Sequence, residues 1–233
     1  MARTLTGFRT VPVLVRFVCS VLFRRIFQRR KYPLLLLSPS KNGFLRTALV
    51  LRRIRMTKAV SVGGKYHFSL VDPRWPSRAY DHMMANGGLS LEEAGATGRK
   101  QISQVVLGVS RRCPYRCRHC LEHGNLSPVE SVPIADWRSL LAQIQEVGVG
   151  VVTLSGGEPM QRIDELLQLL DGADKDRSDF HIHTTGYGVT RDNVQALKRA
   201  GLVAAGIGLE DFDRRRVTDF RGTDKAFDVA INA

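Results

Sequence analysis

Three cysteines fall within eight residues, Cys113-Pro-Tyr-Arg-Cys117-Arg-His-Cys120, at Cys-x3-Cys-x2-Cys spacing. Thiolates are soft ligands, and three on one tight loop can hold zinc or an iron–sulfur cluster. On a four-iron cluster, three protein ligands leave one iron open to bind something else, much as catalytic metal sites keep a free position. The same loop could hold zinc, completed by His119 or His123, and the cysteines alone leave both options standing. The fourth cysteine, Cys19, is isolated and reads as an incidental thiol. A tight odd cluster points to metal in a cytoplasmic protein, whereas scattered even pairs would suggest secretion and disulfides.

Such a loop needs regular elements to fix its ends. Val105–Val109 is a short β-rich run that leads into it. Ile134, Trp137, Leu140, Leu141, Ile144 and Val147 then recur at helical spacing, with Gly148 and Gly150 as stops. A second strand, Val151–Leu154, runs into Ser155-Gly156-Gly157-Glu158-Pro159, and Ile163, Leu166, Leu167 and Leu170 mark the next helix. Phe180–Thr184 is the third strand, ending at Thr185-Gly186, and Thr190 caps a helix through Val194, Leu197 and Ala200. Val203–Leu209 is the fourth strand, and a last helix is expected from about Thr223. Strands alternating with helices predict an α/β fold with a parallel sheet. Right-handed crossovers would bring all four strand ends to one edge. All four carry the unusual residues: CPYRCRHC, SGGEP, HTTG and GLED.

Glycines at 156 and 157 would let the backbone approach a ligand closely, and Pro159 pre-sets a helix start. The cysteine loop after the first strand, with GGEP after the second, resembles the radical S-adenosylmethionine (radical SAM) superfamily. The resemblance covers roughly 104–233. It implies a partial (βα) barrel, a 4Fe-4S cluster on Cys113, Cys117 and Cys120, and S-adenosylmethionine as second cofactor. It also places His119 against the adenine and Gly156, Gly157, Glu158 and Pro159 around the methionine amino group. Thr185 stands where an Asn often precedes the third-strand Gly, and Glu210 where peptide-modifying members have Asp. Arg221-Gly222 matches the family's Arg-Gly, so Arg221 is read either as a contact to the cofactor carboxylate or as a surface salt bridge. The chemistry implied is one-electron cleavage of the sulfonium to a 5′-deoxyadenosyl radical, which takes hydrogen from a substrate, with a peptide as one candidate. An electron donor is implied as a partner. His181 and His183 alternate on the third strand and read as a satisfied core or helix-facing pair.

The family usually has six βα units and four are legible, so the core over 103–233 is expected to be C-terminally incomplete. A catalytically incomplete fragment, and a non-catalytic zinc module, therefore stand as alternatives to a radical enzyme. The net charge of +13 is concentrated at one end: residues 1–60 hold 14 Lys/Arg and no acid, while the rest is nearly neutral. A nucleic-acid surface would lie on the folded part, so none is expected. The apolar run 11–23 is too short to span a membrane. The segment 1–60 reads as a poorly ordered basic tail, as sequence upstream of a start at Met56, or as an amphipathic helix on an anionic membrane. Residues 61–102 read as a small accessory α+β segment, with a short helix after Ser77.

Overall fold

The computed structural model describes residues 3–6, 12–13, 15–16, 58–86 and 102–233. They fall into two units, one of residues 1–77 with 90–100 and one of residues 78–89 with 101–233. In the first unit, β1 (Arg3–Thr6), β2 (Lys58–Val62) and β3 (Lys65–His67) form an antiparallel sheet in that order. Gly63 and Gly64, both at positive φ, close the two-residue hairpin between β2 and β3. β3 stops at His67, because Ser69 turns the chain. Its hydroxyl donates to Asp72 and accepts from the amides of Val71 and Asp72. Residues 3–6 of the basic segment thus belong to a sheet. Most of that segment, and residues 87–101 of the accessory segment, lie outside the described residues.

The second unit contains α1 (Arg78–Ala85), β4 (Gln104–Ser110), α2 (Ile134–Glu146), β5 (Val151–Gly156) and α3 (Ile163–Asp171). It continues through β6 (Asp179–Thr184), α4 (Arg191–Arg199), β7 (Leu202–Ile207), α5 (Arg214–Arg221) and α6 (Ala226–Asn232). The four strands form one parallel sheet in the order β4-β5-β6-β7. Leu107, Val109, Val152, Leu154, Phe180 and Ile182 face the helices and pack with Leu141, Leu166, Leu169, Leu170 and Leu197. Thr190 caps α4 by accepting from the Asn193 amide, as its position before the apolar stripe predicts.

The helix α1 falls in the same unit as the parallel sheet. Three expectations need correction. Leu140 and Val147 are exposed, because six apolar positions exceed the width of one buried stripe and α2 turns Leu141 inward. The last helix stands as α6, but a further helix that was not expected, α5, precedes it, capped by Asp213 and closed by Gly222 in the left-handed conformation. His181 and His183 lie on the sheet face opposite Phe180 and Ile182, away from the helices, with His181 buried and His183 exposed. Among the described residues no helix is long and apolar enough to cross a membrane.

Candidate functional site

Parallel pairing puts the ends of β4, β5, β6 and β7 on one edge of the sheet, and the candidate site is built from their exits. The exits of β4 and β5 are stitched together. The Gly157 amide donates to the Ser110 carbonyl at 2.7 Å, and the Glu158 amide to the Arg112 carbonyl at 2.5 Å. These bonds explain both glycines. A Cβ at 156 would lie 2.4 Å from the Ser110 carbonyl oxygen, and one at 157 would lie 2.3 Å from that of Arg112. The close approach is therefore to the root of the cysteine loop, where no side chain can fit. Gly157→Ala is expected to cost about 1–3 kcal/mol by overpacking. It should also displace the loop root, read as a lower melting temperature together with reduced iron uptake on anaerobic reconstitution.

Glu158 is fully buried. One of its oxygens accepts from the Met160 amide at 3.0 Å and the Thr184 hydroxyl at 2.8 Å. The other accepts from the Thr185 amide at 2.8 Å and the Thr185 hydroxyl at 2.5 Å. Three of these four donors, from Thr184 and Thr185, bind β5's exit to β6's exit through one carboxylate. Among the described residues no cation pairs with it, so its negative charge is held uncompensated at the sheet edge. Pro159 opens the single 3-10 turn Pro159–Arg162 that Glu158 caps.

Arg221 is neither exposed nor a surface bridge. It is 1% exposed and grips Glu210 with two bonds, Nε to Oε2 at 2.8 Å and Nη2 to Oε1 at 2.9 Å. It also donates to the Gly208 carbonyl at 2.6 Å and the Thr185 carbonyl at 3.3 Å. Its guanidinium stands 5.6 Å over the ring of Tyr115, inside the cysteine loop. Burial tends to raise the Glu210 carboxyl, but the hydrogen bonds and charge of Arg221 outweigh it and hold that carboxyl below its usual range.

The last turn of α5 also holds the loop by its backbone. The carbonyls of Arg221 and Phe220 accept from the amides of Arg116 at 3.3 Å and Arg118 at 3.0 Å. His119 is exposed and stacks on Phe220, with ring centroids 4.6 Å apart. The structure thus brings Gly156, Gly157, Glu158, Thr185, Glu210 and Arg221 into one connected network with the cysteine loop, and leaves His119 on its rim.

Cys113, Cys117 and Cys120 are free thiols of intermediate burial. Cys113 and Cys117 pack beside Tyr115, Val217, Ala226, Leu209 and Phe227. Burial pushes both thiols up, against the pull of the Tyr115 backbone bond at Cys113 and of the Arg221 charge at Cys117. Among the described residues no group of three or more His, Cys, Asp or Glu is gathered to hold a single metal ion. A four-iron cluster takes each thiolate on a separate iron. Three free thiols in a half-dry apolar niche suit such a cluster, and the uncompensated carboxylate of Glu158 suits a cationic ligand beside it.

One part of the site has no sequence signature. Glu130 accepts from the Ser110 hydroxyl and the Arg111 amide, both at 2.9 Å, and faces Arg162 at 3.5 Å. Arg162 is buried, donates to the Val109 carbonyl and pairs with Glu165. This network clamps the loop where it leaves β4. A charged cleft of about 420 Å³ lined by Arg214, Asp224 and Asp228 includes none of the cysteines or predicted cofactor residues.

A model of the radical SAM superfamily matches residues 107–233, more than half of the chain. The chain belongs to the radical SAM superfamily. The cofactors of this radical SAM protein are those of its family, a 4Fe-4S cluster and S-adenosylmethionine. It is 31% identical over 128 residues to Fe-coproporphyrin III synthase of Methanosarcina barkeri, covering 54% of this chain and 32% of that protein. It is 34% identical over 110 residues to PqqA peptide cyclase of Xanthomonas campestris pv. campestris, covering 47% and 29%. Among solved structures it is similar to Streptococcus suis SuiB, with 24% identity, a TM-score of 0.44, and coverage of 53% of this chain and 28% of that one. The chain spans about a third of the length of the curated relatives it matches.

Proposed function

We propose that Cys113, Cys117 and Cys120 hold the 4Fe-4S cluster and that the exits of β5, β6 and β7 bind S-adenosylmethionine. When bound, these cofactors supply a 5′-deoxyadenosyl radical that abstracts hydrogen from the substrate. The reading rests above all on the stitching of the cysteine loop to the Gly157–Glu158 turn, which sets three free thiols beside a buried carboxylate. Glu158 acts on the methionine ammonium through its charge, because its own hydrogen-bond positions are filled by Met160, Thr184 and Thr185. Gly156, Gly157 and Pro159 shape the turn. Thr185 joins β6's exit to it, and the Glu210–Arg221 pair fixes the far wall. His119 offers an exposed ring for the adenine.

The substrate is proposed to be a peptide, since several of the relatives are PqqA peptide cyclases. An electron donor completes the set of partners, in the cytoplasm. A second reading, in which this chain binds the cofactors without completing the reaction alone, draws on its span of about a third of its relatives. Anaerobic reconstitution with iron and sulfide tests the cluster. About four irons per chain are expected, falling to near zero when any of the three cysteines is replaced by alanine. Stoichiometric zinc without iron–sulfur absorption would sink the assignment. Release of 5′-deoxyadenosine from the reduced, loaded protein separates the first reading from the second.

A further inference from the structure

Parallel pairing lays one rung across the sheet just inside the exits. From β4 to β7 it reads Gly108, Ser155, His183 and Gly206. Side chains alternate along a strand, so these four lie on the face away from the helices, opposite Leu107, Leu154 and Ile182. His183 is exposed and is the one ionisable residue of the rung. Neither it nor Ser155 makes a side-chain hydrogen bond among the described residues. A Cβ at 206 would stand 3.0 Å from His183 Cδ2, so the ring lies against the β7 backbone where glycine leaves space. A Cβ at 108 would meet only the Gly156 Cα, at 3.7 Å, so the floor beside Ser155 is open as well. Glycine inside a strand marks a place that a ligand or another backbone approaches closely, and this rung has one on each outer strand. Of the acids near this face, Asp179 is buried four residues earlier on β6, and Glu210 is bound to Arg221.

We infer that His183 determines substrate specificity: its ring N–H takes a carboxylate of the substrate, from an acidic side chain or a free C-terminus, with the Ser155 hydroxyl as second donor. The inference rests on the cofactor assignment and the hydrogen-abstraction reading proposed above. A neutral imidazole has an N–H in either tautomer, so it donates to an anion whichever ring nitrogen holds the hydrogen. Such charge-assisted bonds are about twice as strong as neutral ones. Among the described residues no protein carboxylate competes for this ring, and the flanking glycines leave room for an extended chain above the strands. Thr184 follows His183 directly, and its hydroxyl binds Glu158. A group held on His183 therefore lies one or two residue rises, about 3–7 Å, inside the exits assigned to S-adenosylmethionine. Hydrogen transfer needs the reacting atoms in near contact, and this rung is the open floor that adjoins those exits.

The test uses the reconstituted, unreduced protein with S-adenosylmethionine bound, and three probes followed by ligand-observed NMR. N-acetyl-glycyl-glutamyl-glycinamide carries a side-chain carboxylate, N-acetyl-triglycine a C-terminal one, and the glutamine analogue of the first carries none. One of the carboxylate probes is expected to bind about tenfold more tightly than the glutamine analogue, and which one does so identifies the source of the carboxylate. His183→Gln should abolish that preference while iron content, melting temperature and S-adenosylmethionine affinity stay unchanged. Gly206→Ala should reduce the preference with the imidazole still present, because the new Cβ displaces the ring. If neither carboxylate probe binds more tightly than the glutamine analogue, or if the preference survives His183→Gln, this inference falls and the cofactor assignment stands. A loss of S-adenosylmethionine affinity in His183→Gln would place the residue in the cofactor site and overturn the inference likewise. A chain that takes up zinc in place of iron overturns the cluster assignment and this inference together.

Discussion

Glu158→Gln is expected to lower the melting temperature of the cofactor-free protein by roughly 5–15 °C, a loss of about 2–4 kcal/mol. Two effects oppose each other. Removing a buried, uncompensated charge relieves its desolvation, which favours the amide. Against this stand two fixed backbone donors, the amides of Met160 and Thr185, one on each carboxylate oxygen. Whichever way the substituted carboxamide turns, its NH2 meets an N–H that can only donate. The Thr184 hydroxyl has little freedom to reverse, because it already accepts from the Gly186 amide. Hydrogen bonds to a charged acceptor are worth more than neutral ones, so the donors win. If Glu158 served only a ligand, melting without cofactors would be unchanged and only S-adenosylmethionine affinity would fall. Differential scanning calorimetry of the apo variant decides between the two.

Arg221→Met should cost about 3 kcal/mol, because it strands Glu210 and removes the donor from the Gly208 and Thr185 carbonyls. Adding Glu210→Gln to that variant should recover part of the loss, since the damage comes chiefly from the unpaired carboxylate. Acid adds a second readout. The Glu210 carboxyl titrates below its usual range in the folded protein. Its pairing therefore contributes fully above the ordinary carboxylate range, and is lost as pH falls through the depressed folded value. Wild-type melting should decline over that acid limb more steeply than melting of Arg221→Met. Parallel curves would show that the pair contributes nothing.

Much of this site was legible because its residues punctuate the chain. Val105–Val109, Val151–Leu154 and Phe180–Thr184 are β-rich runs ended by Cys, Gly or Thr, and period and breaker together locate both strand and exit. The glycines at 156 and 157 were legible as a close approach. What they approach was not, since the Ser110 and Arg112 carbonyls reach them only through strand pairing. The helix α5 escaped because Arg214, Arg215 and Arg216 open it and only Val217 and Phe220 are apolar. Asp213 followed by Gly222 nine residues later was its one signal. Arg221 looks like a surface residue in sequence, and only its contacts with Glu210 and the Gly208 and Thr185 carbonyls permit its burial. The Glu130–Arg162–Glu165 clamp joins positions up to 35 apart with no periodicity to betray it.

The bonds from the Arg116 and Arg118 amides to the last carbonyls of α5 make the loop and that helix terminus a single thermodynamic unit. Linkage is reciprocal: whatever free energy a ligand spends ordering the loop must appear as added protection of the helix, and fraying of the helix must weaken the ligand by the same factor. Amide exchange at these two positions would then slow as metal is loaded and quicken as it is removed. A helix with no ligand of its own would report, residue by residue, on the occupancy of its neighbour.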